Sequence, residues 1–208
     1  MTIKATSLLS LLVIWATMIA AVAFGDAPWW TLIFAFLASA AVGVGMWRRL
    51  GISRLIAITG TWVGAAWAIS VEPDTGWITV FAFLTTAAIV YSLMRRDAIG
   101  LGAGIAFVWV MVALVIDANK GDGAWISVFA FLTAGSLSNS RSRHMKGMTA
   151  ILWWGIAAVI MLAADGWYAL AVAAFLLTAG SFGFRDFRFP RSIEWDLRER
   201  DDDGYVVK

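Results

Sequence analysis

Long uncharged segments alternate with short polar breaks along the first 184 residues of the chain. Eight such segments are present: 6–24, 28–47, 55–71, 76–94, 99–116, 124–140, 147–164 and 167–184. Each contains roughly 17–20 residues, and an α-helix of that length comes close to spanning the ~30 Å hydrocarbon core of a bilayer. The period-2 alternation of a membrane β-barrel is missing, and lipid offers the backbone no hydrogen-bonding partner. The pattern therefore predicts eight transmembrane helices.

One phrase of sequence recurs at the start of the even-numbered segments. The phrase, which contains Phe-Ala-Phe-Leu, begins at Trp30, Trp77 and Trp125, and a weaker copy begins at Trp167. The odd-numbered segments repeat as well, since each carries one tryptophan in register. These residues are Trp15, Trp62, Trp109 and Trp154. Self-similarity at a fixed period indicates tandem units. We predict four helical hairpins, at about 1–49, 50–97, 98–143 and 144–184, in an approximate pseudo-fourfold arrangement about an axis along the membrane normal.

The charges in the polar breaks are segregated by sign. With Lys4, one side of the predicted bundle carries nine basic residues and only Asp97 as an acid. The other side carries six acidic residues and only Lys120 as a base. Lys and Arg are retained on the cytoplasmic side of short loops. This distribution predicts a multi-pass protein of the cytoplasmic membrane with both termini in the cytoplasm.

The first segment also has features of a cleaved signal peptide. Lys4 precedes an apolar run that ends near a small-residue sequence, Ala21-Val22-Ala23. Trp15, however, lies in register with the tryptophans of the later odd segments, so we expect the first helix to be retained.

Composition supports an integral membrane protein and excludes several kinds of site. Hydrophobic residues make up 61% of the chain and charged residues 14%, whereas a soluble domain has about 25% charged residues. The mean hydropathy is +0.80. Without cysteine, the chain can form neither a disulfide nor a thiolate metal site. A net charge of +2 gives no indication of a nucleic-acid partner.

Ionisable side chains are missing from the interior of all eight segments. Because such residues mark proton relays, ion pathways and voltage sensors, their absence argues against those functions. The only histidine, His144, belongs to a basic loop, and no metal, cofactor or catalytic centre is predicted. The acidic turns contain Asp26, Asp74, Asp122 and Asp165. These carboxylates could form a ring that attracts cations, or cap the helices that follow.

The four tryptophans in the odd segments are the main candidates for a functional site. They fall near mid-span, where an indole N–H requires an acceptor. Threonine hydroxyls at similar depth could supply one, namely those of Thr61, Thr85, Thr133 and Thr178. We interpret Trp15, Trp62, Trp109 and Trp154 as core packing. The alternatives are a site that binds an apolar or neutral ligand, and contact with lipid.

The last 24 residues differ in character from the rest. Residues 185–208 hold thirteen of the thirty charged residues, which must stay outside the hydrocarbon core. Ile193 and Leu197 are spaced for a short amphipathic helix over residues 191–200. We expect this cytoplasmic tail to lie in the membrane interface or to contact a partner through Arg188, Trp195 and Leu197.

Together these features predict a structural or accessory subunit of a larger membrane complex, without its own catalytic centre. Its partners would be the lipid bilayer and either other membrane subunits or further copies of itself. The alternative is a facilitator or channel for a neutral or apolar small molecule, passing along the pseudo-fourfold axis.

The predicted topology is testable by site-directed labelling, since the chain has no native cysteine. A cysteine at Gly123 should react with a membrane-impermeant thiol reagent in intact cells, whereas one at Ser142 should react only after permeabilisation. The reverse pattern would contradict the orientation.

Overall fold

The computed structural model describes residues 3–45, 51–92, 99–139, 145–164 and 167–180, so the predicted tail lies outside the described residues. Within these ranges the chain forms eight α-helices and no strand. They are α1 (Ile3–Phe24), α2 (Leu32–Gly45), α3 (Ile52–Val71), α4 (Ile78–Tyr91), α5 (Ile99–Ala118), α6 (Ser127–Ser138), α7 (Met145–Ala163) and α8 (Ala169–Gly180). The prediction of an all-helical fold with eight helices is confirmed.

Five helical spans are long and apolar enough to cross a membrane. They are Ala5–Phe24, Ile52–Val71, Pro73–Tyr91, Ile99–Ala118 and Lys146–Ala163. Three shorter apolar helical stretches cover Trp29–Val44, Ala124–Ser138 and Ala169–Gly180. Three even helices follow a short 3-10 turn, at Trp29–Thr31, Pro73–Thr75 and Ala124–Ile126. These lengths and compositions are compatible with a multi-pass membrane protein.

The helices are arranged in two rows. The odd helices pack side by side in the order α1, α3, α5 and α7, and the even helices in the order α2, α4, α6 and α8. Each odd helix also contacts the even helix of its own hairpin. Among the described helices, the extensive interfaces join consecutive hairpins, and none joins the fourth hairpin to the first. A closed pseudo-fourfold ring requires that interface, so these contacts instead correspond to a row.

Small residues bring the odd helices into backbone contact. A Cβ atom added at Gly64 would lie 2.7 Å from the carbonyl oxygen of Trp109, and one added at Gly60 would overlap Ala106. Between α5 and α7, a Cβ added at Gly104 would lie 2.9 Å from the Cα of Gly147. In a membrane, where apolar surfaces gain little by leaving lipid, such close approach is a main source of helix association. Glycines at these positions of α3 and α5 therefore let the odd helices approach each other closely.

The even row packs through aromatic rings instead. Each of the first three even helices places its first phenylalanine against the second phenylalanine of the next even helix. These pairs are Phe34–Phe83, Phe81–Phe131 and Phe129–Phe175, with ring centroids 6.5, 6.0 and 6.1 Å apart. A Cβ atom added at Gly135 would meet nothing within 4 Å. Gly135 therefore does not mediate close helix contact in this row.

Arg54 differs from its predicted place in a polar loop. It lies in the first turn of α3 and is 7% exposed. Its Nη2 donates a hydrogen bond to the Ser92 carbonyl oxygen, 2.9 Å away, at the end of α4. The C-terminal end of a helix carries partial negative charge, which a cation stabilises. Arg54 thus links the end of α4 to the beginning of α3.

The carboxylates of the acidic turns are candidates for capping the helices that follow, but the described turns show no such side-chain bond. None of the three 3-10 turns receives a side-chain capping bond from its N-cap residue, which is Pro28, Glu72 or Gly123. Threonine hydroxyls bond locally instead: Thr31 donates to the Pro28 carbonyl at 2.7 Å and Thr75 to the Glu72 carbonyl at 2.7 Å. Asp165 lies outside the described residues.

The backbone at the third acidic turn affects the choice of label for the topology experiment. Gly123 has φ +79°, and a Cβ added there would lie 2.5 Å from Cε1 of Tyr168. The neighbouring Asp122 is exposed and belongs to the same turn. A cysteine at Asp122 therefore reports on this side of the bundle without distorting the turn.

The glycine contacts predict a difference between two Gly→Ala substitutions. Gly60→Ala should lower the free energy of unfolding by about 1–3 kcal/mol, because its methyl group overlaps Ala106 and the helices must separate. Unfolding in detergent micelles or bicelles, followed by circular dichroism, would measure the change.

Gly135→Ala provides the matched control. It adds the same methyl group in open space, so its unfolding free energy should be unchanged or raised by up to ~1 kcal/mol through the alanine helix preference. Equal destabilisation by both substitutions would contradict the proposed packing.

Candidate functional site

Three of the four candidate tryptophans are core residues. Trp62, Trp109 and Trp154 are exposed by no more than 1%. They lie on α3, α5 and α7, within one continuous cluster of buried hydrophobic side chains. Trp15 lies on α1, at the end of the odd row, and is only partly buried. Among the described helices, α1 packs extensively against only one other odd helix, α3, which leaves Trp15 partly exposed.

Two of the buried indoles bond to threonine hydroxyls on even helices. Trp62 Nε1 donates to Thr86 Oγ1 at 2.8 Å, and Thr86 in turn donates to the Ala82 carbonyl at 2.9 Å. Trp154 Nε1 donates to Thr133 Oγ1 at 3.2 Å. The prediction that threonines accept these bonds is confirmed for Thr133. It missed Thr86, which directly follows the predicted Thr85 in sequence.

The register of the repeat explains this difference. Thr85 and Thr133 each follow the last leucine of the repeated phrase, and the corresponding residue of the first hairpin is Ala38. Trp154 bonds to Thr133 of the preceding hairpin. Trp62 has no equivalent acceptor there, because Ala38 lacks a hydroxyl, and it bonds within its own hairpin instead.

The third buried indole has a different environment. Trp109 Nε1 and Thr85 Oγ1 are both buried and have no hydrogen-bond partner among the described residues. By register they correspond to Trp154 and Thr133, which are bonded to each other. An unsatisfied buried polar group destabilises a membrane helix bundle, because lipid provides no substitute partner.

Aromatic and acidic residues surround the end of the bundle that carries the acidic turns. Phe24, Trp29 and Trp167 are 90%, 73% and 62% exposed. Amphipathic rings at this level are typical of residues that anchor helices at a membrane–water interface. Trp67 Nε1 donates to Asp117 Oδ2 at 3.1 Å, which joins α3 to α5 at the same end.

A groove opens between α1 and α3 near this end. Its volume is about 380 Å³. Its lining residues are Thr17, Ala20, Ala21, Phe24, Gly25, Val63, Ala66, Trp67 and Ser70. None of the four candidate tryptophans lines it. Sequence analysis missed this site, although the small residues at positions 20, 21 and 25 are its signal in the sequence.

Within the described residues, no group of three or more His, Cys, Asp or Glu side chains has an arrangement that could hold a metal ion. The predicted ring of acidic turns therefore does not converge into such a group over Asp26, Asp74 and Asp122. Arg188, Trp195 and Leu197, the predicted partner contacts, and His144 lie outside the described residues.

Comparison with protein families, with curated proteins and with solved structures finds no match to this chain.

The bond between Trp62 and Thr86 predicts measurable coupling. In a double-mutant cycle of Trp62→Phe and Thr86→Val, the coupling should be about 0.6 kcal/mol and at most ~1.7 kcal/mol, the range found for hydrogen bonds between membrane helices. Unfolding free energies of the four proteins in one detergent would give the value.

Thr85→Val is the control for the loss of a buried hydroxyl alone. Because Thr85 Oγ1 has no partner, its removal should leave stability unchanged or increase it. A loss as large as that of Thr86→Val would contradict the assignment of these two bonds.

Proposed function

We propose that this protein is a structural or accessory subunit of a larger assembly in the cytoplasmic membrane, without its own catalytic centre. The observation that best supports this role is the burial of Trp62, Trp109 and Trp154 in a continuous packed core. Large tryptophan rings near mid-span and glycine contacts between the odd helices together give a tightly packed, rigid helix bundle. A rigid bundle suits a protein that holds other membrane subunits in position.

We propose further that the four hairpins are tandem copies of one unit, which follow one another along the row. The recurring ring contacts support this. Trp30–Phe34, Trp77–Phe81 and Trp125–Phe129 all meet edge to face, with interplanar angles of 81°, 84° and 78°. The fourth copy has Ala173 at the position of the first phenylalanine. The fourth copy therefore departs from the other three at this position.

The two ends of the row offer wide apolar surfaces. On α1, Leu8 and Leu12 are 59% and 63% exposed, and on α7, Leu152 and Val159 are 56% and 66% exposed. In the proposed assembly these faces meet lipid or neighbouring subunits. The predicted orientation, with both termini in the cytoplasm, would place the tail where it can reach a cytoplasmic partner.

The alternative function, a facilitator for a neutral or apolar small molecule, requires a passage at the level of the tryptophans. Three of those side chains are fully packed, and the α1–α3 groove lies to the side of them. Both observations favour the structural role over conduction.

Mild detergent extraction of the tagged full chain from its native membrane, followed by mass spectrometry, tests the proposal. We expect other membrane proteins to be recovered in a fixed ratio to this chain. A truncation after Phe189 should still insert but recover less of them, because it lacks Trp195 and Leu197. Recovery of the full chain only as a monomer or homo-oligomer would overturn the proposal.

Flux measurements separate the two functions. Liposomes that contain the purified protein should release neutral solutes such as glycerol or urea no faster than protein-free liposomes. Protein-dependent release that increases when Trp109 is replaced by Ala would favour the facilitator instead.

A further inference from the structure

The groove between α1 and α3 has the dimensions of an acyl-chain site. On α1 its lining runs from Thr17 to Phe24 and on α3 from Val63 to Ser70. Each stretch rises by about 11 Å, compared with ~15 Å for the hydrocarbon of one leaflet. Val63 is 40% exposed, whereas Ala21 is 2% exposed and forms part of the floor. The groove is therefore open on one side and runs along α1 and α3 over a length shorter than the hydrocarbon of one leaflet.

The register of the recurring sequence explains why the groove lies between α1 and α3 and not between α3 and α5. In register, Ala20 of α1 corresponds to Trp67 of α3, and Ser70 of α3 corresponds to Asp117 of α5. Between α3 and α5, the Trp67 indole reaches across and bonds to Asp117. Between α1 and α3, the two small side chains at the same positions leave that space open.

The polar atoms in the groove are already hydrogen-bonded. Thr17 Oγ1 donates to the Val13 carbonyl at 2.8 Å, and Ser70 Oγ donates to the Ala66 carbonyl at 2.7 Å. Trp67 Nε1 donates to Asp117. Each side-chain donor of the lining is therefore engaged, and the groove presents mainly methyl, methylene and ring surface. Such a surface favours a hydrocarbon chain over a polar solute.

Two carboxylates near one end of the groove bear on which lipid headgroup fits there. Asp26 directly follows the lining residue Gly25, and Asp117 is held by the lining residue Trp67. Both carboxylates are exposed. These carboxylates, at the end of an apolar groove, attract a positively charged group and repel a headgroup with a net negative charge. A headgroup that carries an ammonium therefore fits best.

We propose that the α1–α3 groove binds one phospholipid with an ammonium headgroup, of the phosphatidylethanolamine type. One acyl chain lies along Ala20 and Val63, and the ammonium lies near Asp26 and Asp117. The lipid fills the space left between α1 and α3 by the small side chains of Ala20 and Ser70. This inference does not depend on the proposed function, because a subunit or a facilitator could each carry such a lipid.

Native mass spectrometry of the full-length protein tests the site. The protein would be released from nanodiscs made of equal amounts of phosphatidylethanolamine and phosphatidylglycerol with identical acyl chains. We expect one phosphatidylethanolamine to be retained at activation energies that remove the other lipids. Ala20→Trp should abolish this selective retention, because the indole fills the space between α1 and α3 that the acyl chain would occupy.

Two further variants keep the test independent of folding. Ser70→Leu fills the groove from the other helix and should have the same effect, whereas Leu12→Trp adds bulk to an exposed position of α1 outside the groove and should have none.

A third variant, Asp117→Asn, tests the headgroup. It should reduce the preference for phosphatidylethanolamine by about 1.5- to 5-fold, the size expected for an exposed ion pair.

The outcomes separate the two parts of the proposal. Equal lipid retention by the wild type, Ala20→Trp and Ser70→Leu would overturn the groove as the binding site. Equal retention of the two lipids by the wild type, or an unchanged preference in Asp117→Asn, would overturn the assignment of the headgroup.

Discussion

The close approach of the odd helices is the constraint on which the rest of this structure depends. Helices in a membrane gain little from burying apolar side chains, since lipid is as apolar as they are. Attraction must come from dispersion contacts and from the few hydrogen bonds available. Gly60, Gly64 and Gly102 remove side chains at the points where α3 and α5 meet, and these helices share the most extensive interface of the described residues. The even helices pack against the odd helices, whose separation is set by these glycine contacts.

The second row uses a different kind of packing, because its sequence is different. Aromatic rings meet between neighbouring even helices, with centroid separations of 6.0–6.5 Å between their phenylalanines. Backbone contacts between the odd helices and ring contacts between the even helices together set the position of each hairpin against the next. In the first hairpin, by contrast, Phe36 is 63% exposed and Trp15 is only partly buried.

Sixteen of the described residues are polar or charged and buried, and most of them have a definite hydrogen-bond partner. Arg54 places its charge at the C-terminal end of α4, and Trp62 and Trp154 bond to hydroxyls on the even helices. At the acidic end, Trp67 and Asp117 close the space between α3 and α5, whereas Ala20 and Ser70 leave the preceding space open. The candidate lipid site is thus a local departure from the repeat rather than a separate structure.

The sequence alone determined which segments are helical, because long uncharged runs in a bilayer have no other way to satisfy their backbone. It also indicated that Trp62, Trp109 and Trp154 are core residues, since they recur in register on the odd helices. Only the tertiary structure decided that the described hairpins contact one another as a row, that Thr86 rather than Thr85 accepts the bond from Trp62, and that Arg54 is buried. Periodicity specifies which residues share a helix face, but the neighbour of that face depends on how whole hairpins fit together. The groove has the same origin: the small side chains of Ala20 and Ser70 form a cavity only because their two helices meet there.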